Sequence, residues 1–193
     1  MKQIVEQLMI QIQTEVESIA DYINGQTQTY QSDVFDHSDY FQIDISDDDI
    51  RKVTKQLRGK KGIYVFKTID SIDFTDERIH NWNQLSGAKV NSQDPNGNMR
   101  PFHVDVGRVF YIGSCYSKSL QSRLRTHCTQ ADDVQEASLK LGHANRGWVK
   151  PYLQVYVFSM SPTFNDNERH LLIPEFEKQL HNTFRAIIGS NRT

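Results

Sequence analysis

The sequence predicts an α/β fold. Three β-prone runs, residues 62–67, 108–112 and 152–160, are separated by stretches of helical periodicity, and an amphipathic segment precedes them all. The third run shows the strand period most clearly: Leu153, Val155, Val157 and Ser159 alternate with Tyr152, Tyr156 and Phe158. The chain has 193 residues, 37% of them hydrophobic and 24% charged, enough for one packed domain with elaborations.

Residues 3–24 form the first helix. Val5, Met9, Ile12, Val16, Ile19 and Ile23 recur at spacings of four and three, and Ile4, Leu8 and Ala20 widen the stripe. Gly25 is a suitable stop. The stripe must be covered by the chain's own body or by a second copy. Its three heptads are too few to establish a homodimer, and packing within the chain is the simpler expectation. Residues 26–39 are polar and read as a loop, and Tyr40 to Ile45 as a short strand. Ser46 opens a second helix, with Asp49 three residues on and Ile50, Val53 and Leu57 on its buried face. The acids Asp47 to Asp49 suit the positive end of that helix better than they suit a metal.

A long polar stretch, about 69–107, then separates the first two β-prone runs. It is expected to hold a short helix near Thr75 to Leu85 and a turn at Asp94-Pro95-Asn96-Gly97. Further helices are expected at Ser117 to Cys128, at Ala131 to Leu141, and at Asn167 to Ile188 with a break at Pro174. The resulting division is an N-terminal helical extension, 1–58, and a body, 59–193, that holds the three β-prone runs.

Charge is unevenly spread. Residues 1–50 hold one base and eleven acids, a balance of −10, and the remainder holds 21 bases and 13 acids, a balance of +8. A polyanionic partner suits the body and not the N-terminal segment, although solvated faces of either sign account for the numbers equally well. No apolar run approaches the roughly 18 residues of a membrane span, and the N-terminus lacks the apolar core of a secretory signal. Two cysteines, Cys115 and Cys128, make no disulfide framework and fit a reducing cytoplasm. Together with His127 and His143 they lack the paired spacing of a zinc site.

Three features carry chemistry. Gly62-Ile63-Tyr64 enters one strand. Tyr111-Ile112-Gly113 closes the next and leads into a helix with Arg123 and His127 four residues apart, hence on one face. A last helix carries Glu177, with Asn191 beyond it. Each residue alone has an ordinary structural explanation; the ordered series is what signals a site.

The series resembles the GIY-YIG nuclease family over about residues 60–193, and the two tripeptides match the family name letter for letter. The resemblance implies a small three-stranded antiparallel sheet flanked by helices, and hydrolysis of DNA phosphodiester bonds with one Mg²⁺ or Mn²⁺. It assigns the metal to Glu177, the scissile phosphate to Arg123, and water activation or positioning to Tyr64. His127 would take the phenolic proton or hold Tyr64 in place, Tyr111 would line the pocket, and Asn191 would support it. Glu177 is preferred to Glu175 because Leu180, His181 and Phe184 follow it in the phase of the family's last helix.

The connection of 47 residues from Tyr64 to Tyr111 departs from the family's short hairpin and favours a restriction-type or mobile-element enzyme. A repair or structure-selective nuclease, or a non-catalytic nucleic-acid-binding module, is the alternative. Asn91, Gln93, Asn96, Asn98 and Arg100 of the insertion have donors and acceptors suited to base edges. Lys60, Lys61, Lys67, Arg125, Lys140, Arg146 and Lys150, with His143 and Asn145 in the last stretch, are candidates for contact with duplex DNA.

Overall fold

The computed structural model of the chain describes residues 2–43, 46–90, 100–132 and 138–189. Its centre is an antiparallel sheet. The strands are β1 (Phe35–Gln42), β2 (Gly62–Thr68), β6 (Val109–Cys115) and β7 (Leu153–Met160), in the order β1-β7-β2-β6. The expected three strands are therefore four. The addition, β1, comes from the N-terminal segment and covers the outer edge of β7, burying Phe35 and bringing Tyr40 to 5.9 Å from Tyr156. Covering an open strand edge removes unpaired backbone groups from solvent. The segment 40–45 was expected to hold this strand; pairing starts at Phe35, and residues 44–45 lie outside the described residues.

Strand alternation sorts the sheet into two faces. Tyr64, Phe66 and Tyr111 point to one side, against α2 (Asp47–Val53) and α4 (Leu120–Thr129). Ile63, Val65 and Ile112 point to the other, against α1 (Lys2–Ile23) and α6 (Asp166–Thr183). The heptad stripe of α1 is spent within the chain: Ile12, Val16, Ile19 and Ile23 are buried, each worth about 1.5–3 kcal/mol relative to exposure. Leu8 and Met9, one to two turns earlier, remain exposed. No helix among the described residues is long and apolar enough to cross a membrane.

The insertion is built, not a bare loop. It contributes β3 (Ile72–Phe74), α3 (Asp76–Gln84), β4 (Lys89–Val90) and β5 (Phe102–Val104). β3 pairs with β5, and β4 pairs with β8 (Ile188–Gly189) at the far end of the chain. Phe74 stacks on Phe102 at 4.8 Å and meets Trp148 at 5.4 Å, while Trp82 lies 5.7 Å from Phe110 of β6. The expected turn at 94–97 lies outside the described residues, as do Asn91, Gln93, Asn96 and Asn98.

Two helical expectations change. The described part of 131–141 is not helical: Lys140 has φ 53°, which a right-handed helix does not admit, and 133–137 lie outside the described residues. The last helix runs through Pro174 without a break and ends at Thr183. An Asn165–Glu168 capping box fixes its start, and buried Leu172, Ile173, Phe176 and Leu180 hold both halves against the sheet.

Candidate active site

The two tripeptides owe their glycines to close packing. Gly62 sits where β2 is flanked by β6 and β7, with φ +156°, and a Cβ there would overlap the Phe158 carbonyl oxygen. Gly113 lies opposite Tyr64 in the ladder, and the space a side chain would take there is filled by the Tyr64 ring. A Cβ on Gly113 would come within 2.5 Å of Tyr64 Oη. One glycine thus lets the strand pass its neighbour, and the other makes the floor on which the phenol rests.

Tyr64 is completely buried, and two side chains of α4 reach its hydroxyl. His127 Nε2 is 2.7 Å away and Arg123 Nε donates at 3.3 Å. The proton on the first contact can be placed. The backbone N–H of Leu139 donates to His127 Nδ1 at 2.9 Å, so Nδ1 is an acceptor and carries no proton. In the neutral ring the proton is then on Nε2, and His127 donates to Tyr64 Oη. Burial, with the Arg123 charge nearby, holds the imidazole pKa well below its ordinary value, so the ring is neutral. Of the two roles expected for His127, holding Tyr64 fits this arrangement and taking its proton does not.

Burial and the adjacent Tyr111 push the Tyr64 phenol well above its ordinary pKa, Arg123 opposes them, and Glu177 adds to the rise. Tyr111 is 6.3 Å from Tyr64 and 5.3 Å from His127 between ring centres, which closes the aromatic wall.

Glu177 approaches β6 from α6 and accepts a 2.6 Å hydrogen bond from Ser114 Oγ. Glu175, two residues earlier, turns away to Lys178 and Gln179 of its own helix. β6 is an edge strand, and Glu177 on one face lies near enough to Tyr64 on the other for its carboxylate to act on the phenol. Glu177 and Ser114 form an oxygen donor set that suits Mg²⁺ or Mn²⁺ with water in the other positions. Among the described residues, Cys115, His127, Cys128 and His143 do not come together as a metal-binding group. His127 has both nitrogens engaged, Cys115 donates to the Lys118 carbonyl, and His143 Nδ1 caps α5 (Ala144–Gly147).

Several expected contacts lie elsewhere. Lys140 and Arg146, offered above as DNA contacts, are fully buried and brace the insertion. Lys140 reaches Ser86 Oγ. Arg146 donates to the carbonyls of Trp82, Leu85, Ser138 and Leu139. Lys67 donates to the Ile23 carbonyl at the end of α1, and Lys61 to the Ser117 and Lys118 carbonyls at 2.7 and 2.9 Å. Arg125 is about 200° around α4 from Arg123, away from Tyr64. Lys60 and Lys150 are half-buried, Arg100 is exposed, and Asn191 lies outside the described residues.

Three contributors escaped the sequence. Ser114 had a signal, because strand alternation places it on the α6 face one residue after Gly113. Lys118 joins Lys61 and Arg123 around Cys115, where their charges oppose the effect of burial on the thiol. Leu139 acts through its backbone and had no signal. Comparison with protein-family models, curated proteins and solved structures finds no match to the chain.

Proposed function

We propose that the chain is a divalent-metal-dependent endonuclease that hydrolyses phosphodiester bonds in duplex DNA, of the GIY-YIG type. The observation that carries this reading is the contact of Tyr64, Tyr111, Arg123 and His127 in one largely buried cluster, with Glu177 close enough to act on the Tyr64 phenol. The convergence of residues scattered over more than a hundred positions supports the reading.

The chemistry follows from the donors on Tyr64. In the closed pocket its oxygen receives N–H groups from His127 and Arg123, so its lone pairs are occupied and its own O–H is the remaining function. A guanidinium prefers a phosphate to a phenol, since the phosphate offers charge and a matching fork. When Arg123 turns to the scissile phosphate, it frees one acceptor position on Tyr64. A water can then donate to that oxygen and be aimed at phosphorus, with His127 still fixing the ring. Arg123 now faces the charge that develops on the phosphate in the transition state. A cation held by Glu177 beside Ser114 would supply further charge neutralisation at the phosphate.

The folded insertion, on the α4 side of the sheet, supports a restriction-type or mobile-element enzyme. It provides a surface distinct from the catalytic pocket on which a base sequence could be read. The test is incubation with supercoiled plasmid in Mg²⁺ and, separately, in Mn²⁺. Conversion to nicked or linear DNA is expected. A protein inert with both metals yet binding the plasmid tightly is a non-catalytic module instead.

A further inference from the structure

At the end of β6 remote from Ser114, the last turn of α1, the start of β6 and the end of α6 enclose a cleft of about 450 Å³. Asn24, Arg108, Thr183 and Arg185 supply its polar lining. Both arginines are exposed, and among the described residues neither is engaged by a carboxylate. Other arginines are paired: Arg51 with Asp48, and Arg169 with Asp166.

The cleft is rigid at its base. The Arg108 backbone N–H donates to Thr68 Oγ1 and its carbonyl accepts from the Thr68 N–H, each at 2.9 Å. The Ile187 N–H donates to the Val109 carbonyl at 3.2 Å, which ties the Arg185 segment to the same strand. Offsetting helix ends does not by itself account for the charge. The C-termini of α1 and α6 bring roughly half a negative charge each. Lys67 already meets the first, at the Ile23 carbonyl. Two further arginines leave the cleft positive.

Its position relates it to Glu177. Six residues of α6 lead from Glu177 to the helix end at Thr183, about 9 Å at a helical rise of 1.5 Å per residue, and Arg185 follows two residues later. A DNA strand advances about 3.4 Å along its axis per phosphate, so the distance from Glu177 to the cleft corresponds to roughly three nucleotides.

We propose that this cleft binds phosphodiester groups of the DNA backbone roughly three nucleotides from the bond cut beside Glu177, with Arg108 and Arg185 as the phosphate contacts. The proposal rests on the endonuclease reading. It gives the positively charged body a defined contact for the strand at the end of β6 remote from Ser114.

The test is equilibrium binding of a fluorescein-labelled duplex in EDTA over a series of KCl concentrations. Wild type is compared with Arg108→Gln/Arg185→Gln and with Arg108→Lys/Arg185→Lys. The glutamine pair keeps the side-chain stems, and its melting temperature is recorded alongside. The glutamine pair is expected to bind more weakly, with a salt slope shallower by about two, and the lysine pair to keep the wild-type slope. An unchanged slope in the glutamine pair, with or without a lower melting temperature, overturns the cleft as a phosphate site. If that occurs while wild type still cuts plasmid, only the cleft is lost. If wild type neither binds nor cuts DNA, the endonuclease reading falls and the cleft falls with it.

Discussion

The oxygen of Tyr64 receives two N–H donors inside a wall of aromatic rings, and the character of each donor follows from what lies behind it. His127 is held by the Leu139 N–H at Nδ1, so its other nitrogen is a donor. This makes a specific prediction. Glutamine can present an N–H from about the position of Nε2 but is no base near neutrality. His127→Gln should therefore keep cleavage within about tenfold of wild type, whereas His127→Ala should lose it. A general base at this position would instead cost about 10²–10⁴-fold in both variants, measured as single-turnover plasmid cleavage. The buried neutral ring also has a pH signature. Its folded pKa is depressed below the unfolded value of about 6.5. Its contribution is fully present above that value and is lost as pH falls toward the folded one, because the unfolded chain then binds the extra proton. His127→Gln should flatten the acid limb of stability between these values, measured by urea unfolding. An unchanged limb would assign the acid sensitivity to other groups.

At the scale of elements, the helices and strands that enclose the site follow from period and caps. Ser46, Thr75, Ser119 and Asn165 each cap a helix, and the α1 stripe names its own buried face. Strand β1 was less legible, because its early residues are polar and only its contact with β7 makes them a strand. The insertion was legible in its helix and not in its docking. Its order comes from Phe74, Trp82 and Phe102 closing on Phe110 and Trp148, contacts across long sequence separations that leave no local period. Arg146 shows the same difficulty, since it looked like a surface base and is a buried clamp. It makes five hydrogen bonds to backbone carbonyls, and its guanidinium lies 4.8 Å from the Trp82 ring. Each carbonyl left without a donor costs about 1–3 kcal/mol. Arg146→Met should therefore destabilise the fold by about 3 kcal/mol or more, read as a lower urea midpoint. A loss under about 1 kcal/mol would show that the clamp is dispensable.

Across the whole molecule, the site is a product of the sheet edge. β2 at the centre carries Tyr64, and β6 at the edge carries Gly113 beneath it and Ser114 toward α6. The helices α4 and α6 then bring Arg123, His127 and Glu177 from opposite faces to that edge. The acidic N-terminal segment supplies α1 on the face that also carries α6, and β1 at the sheet edge opposite β6. The central claim is that Glu177 at the β6 edge completes a phosphodiester-cleaving centre. It is tested most directly by plasmid cleavage in Mg²⁺ with wild type and Glu177→Ala side by side, with DNA affinity measured for both in EDTA. The account predicts cleavage by wild type, none by the variant, and closely similar affinities. Cleavage retained by Glu177→Ala, or a wild type that cuts with neither Mg²⁺ nor Mn²⁺, would contradict it.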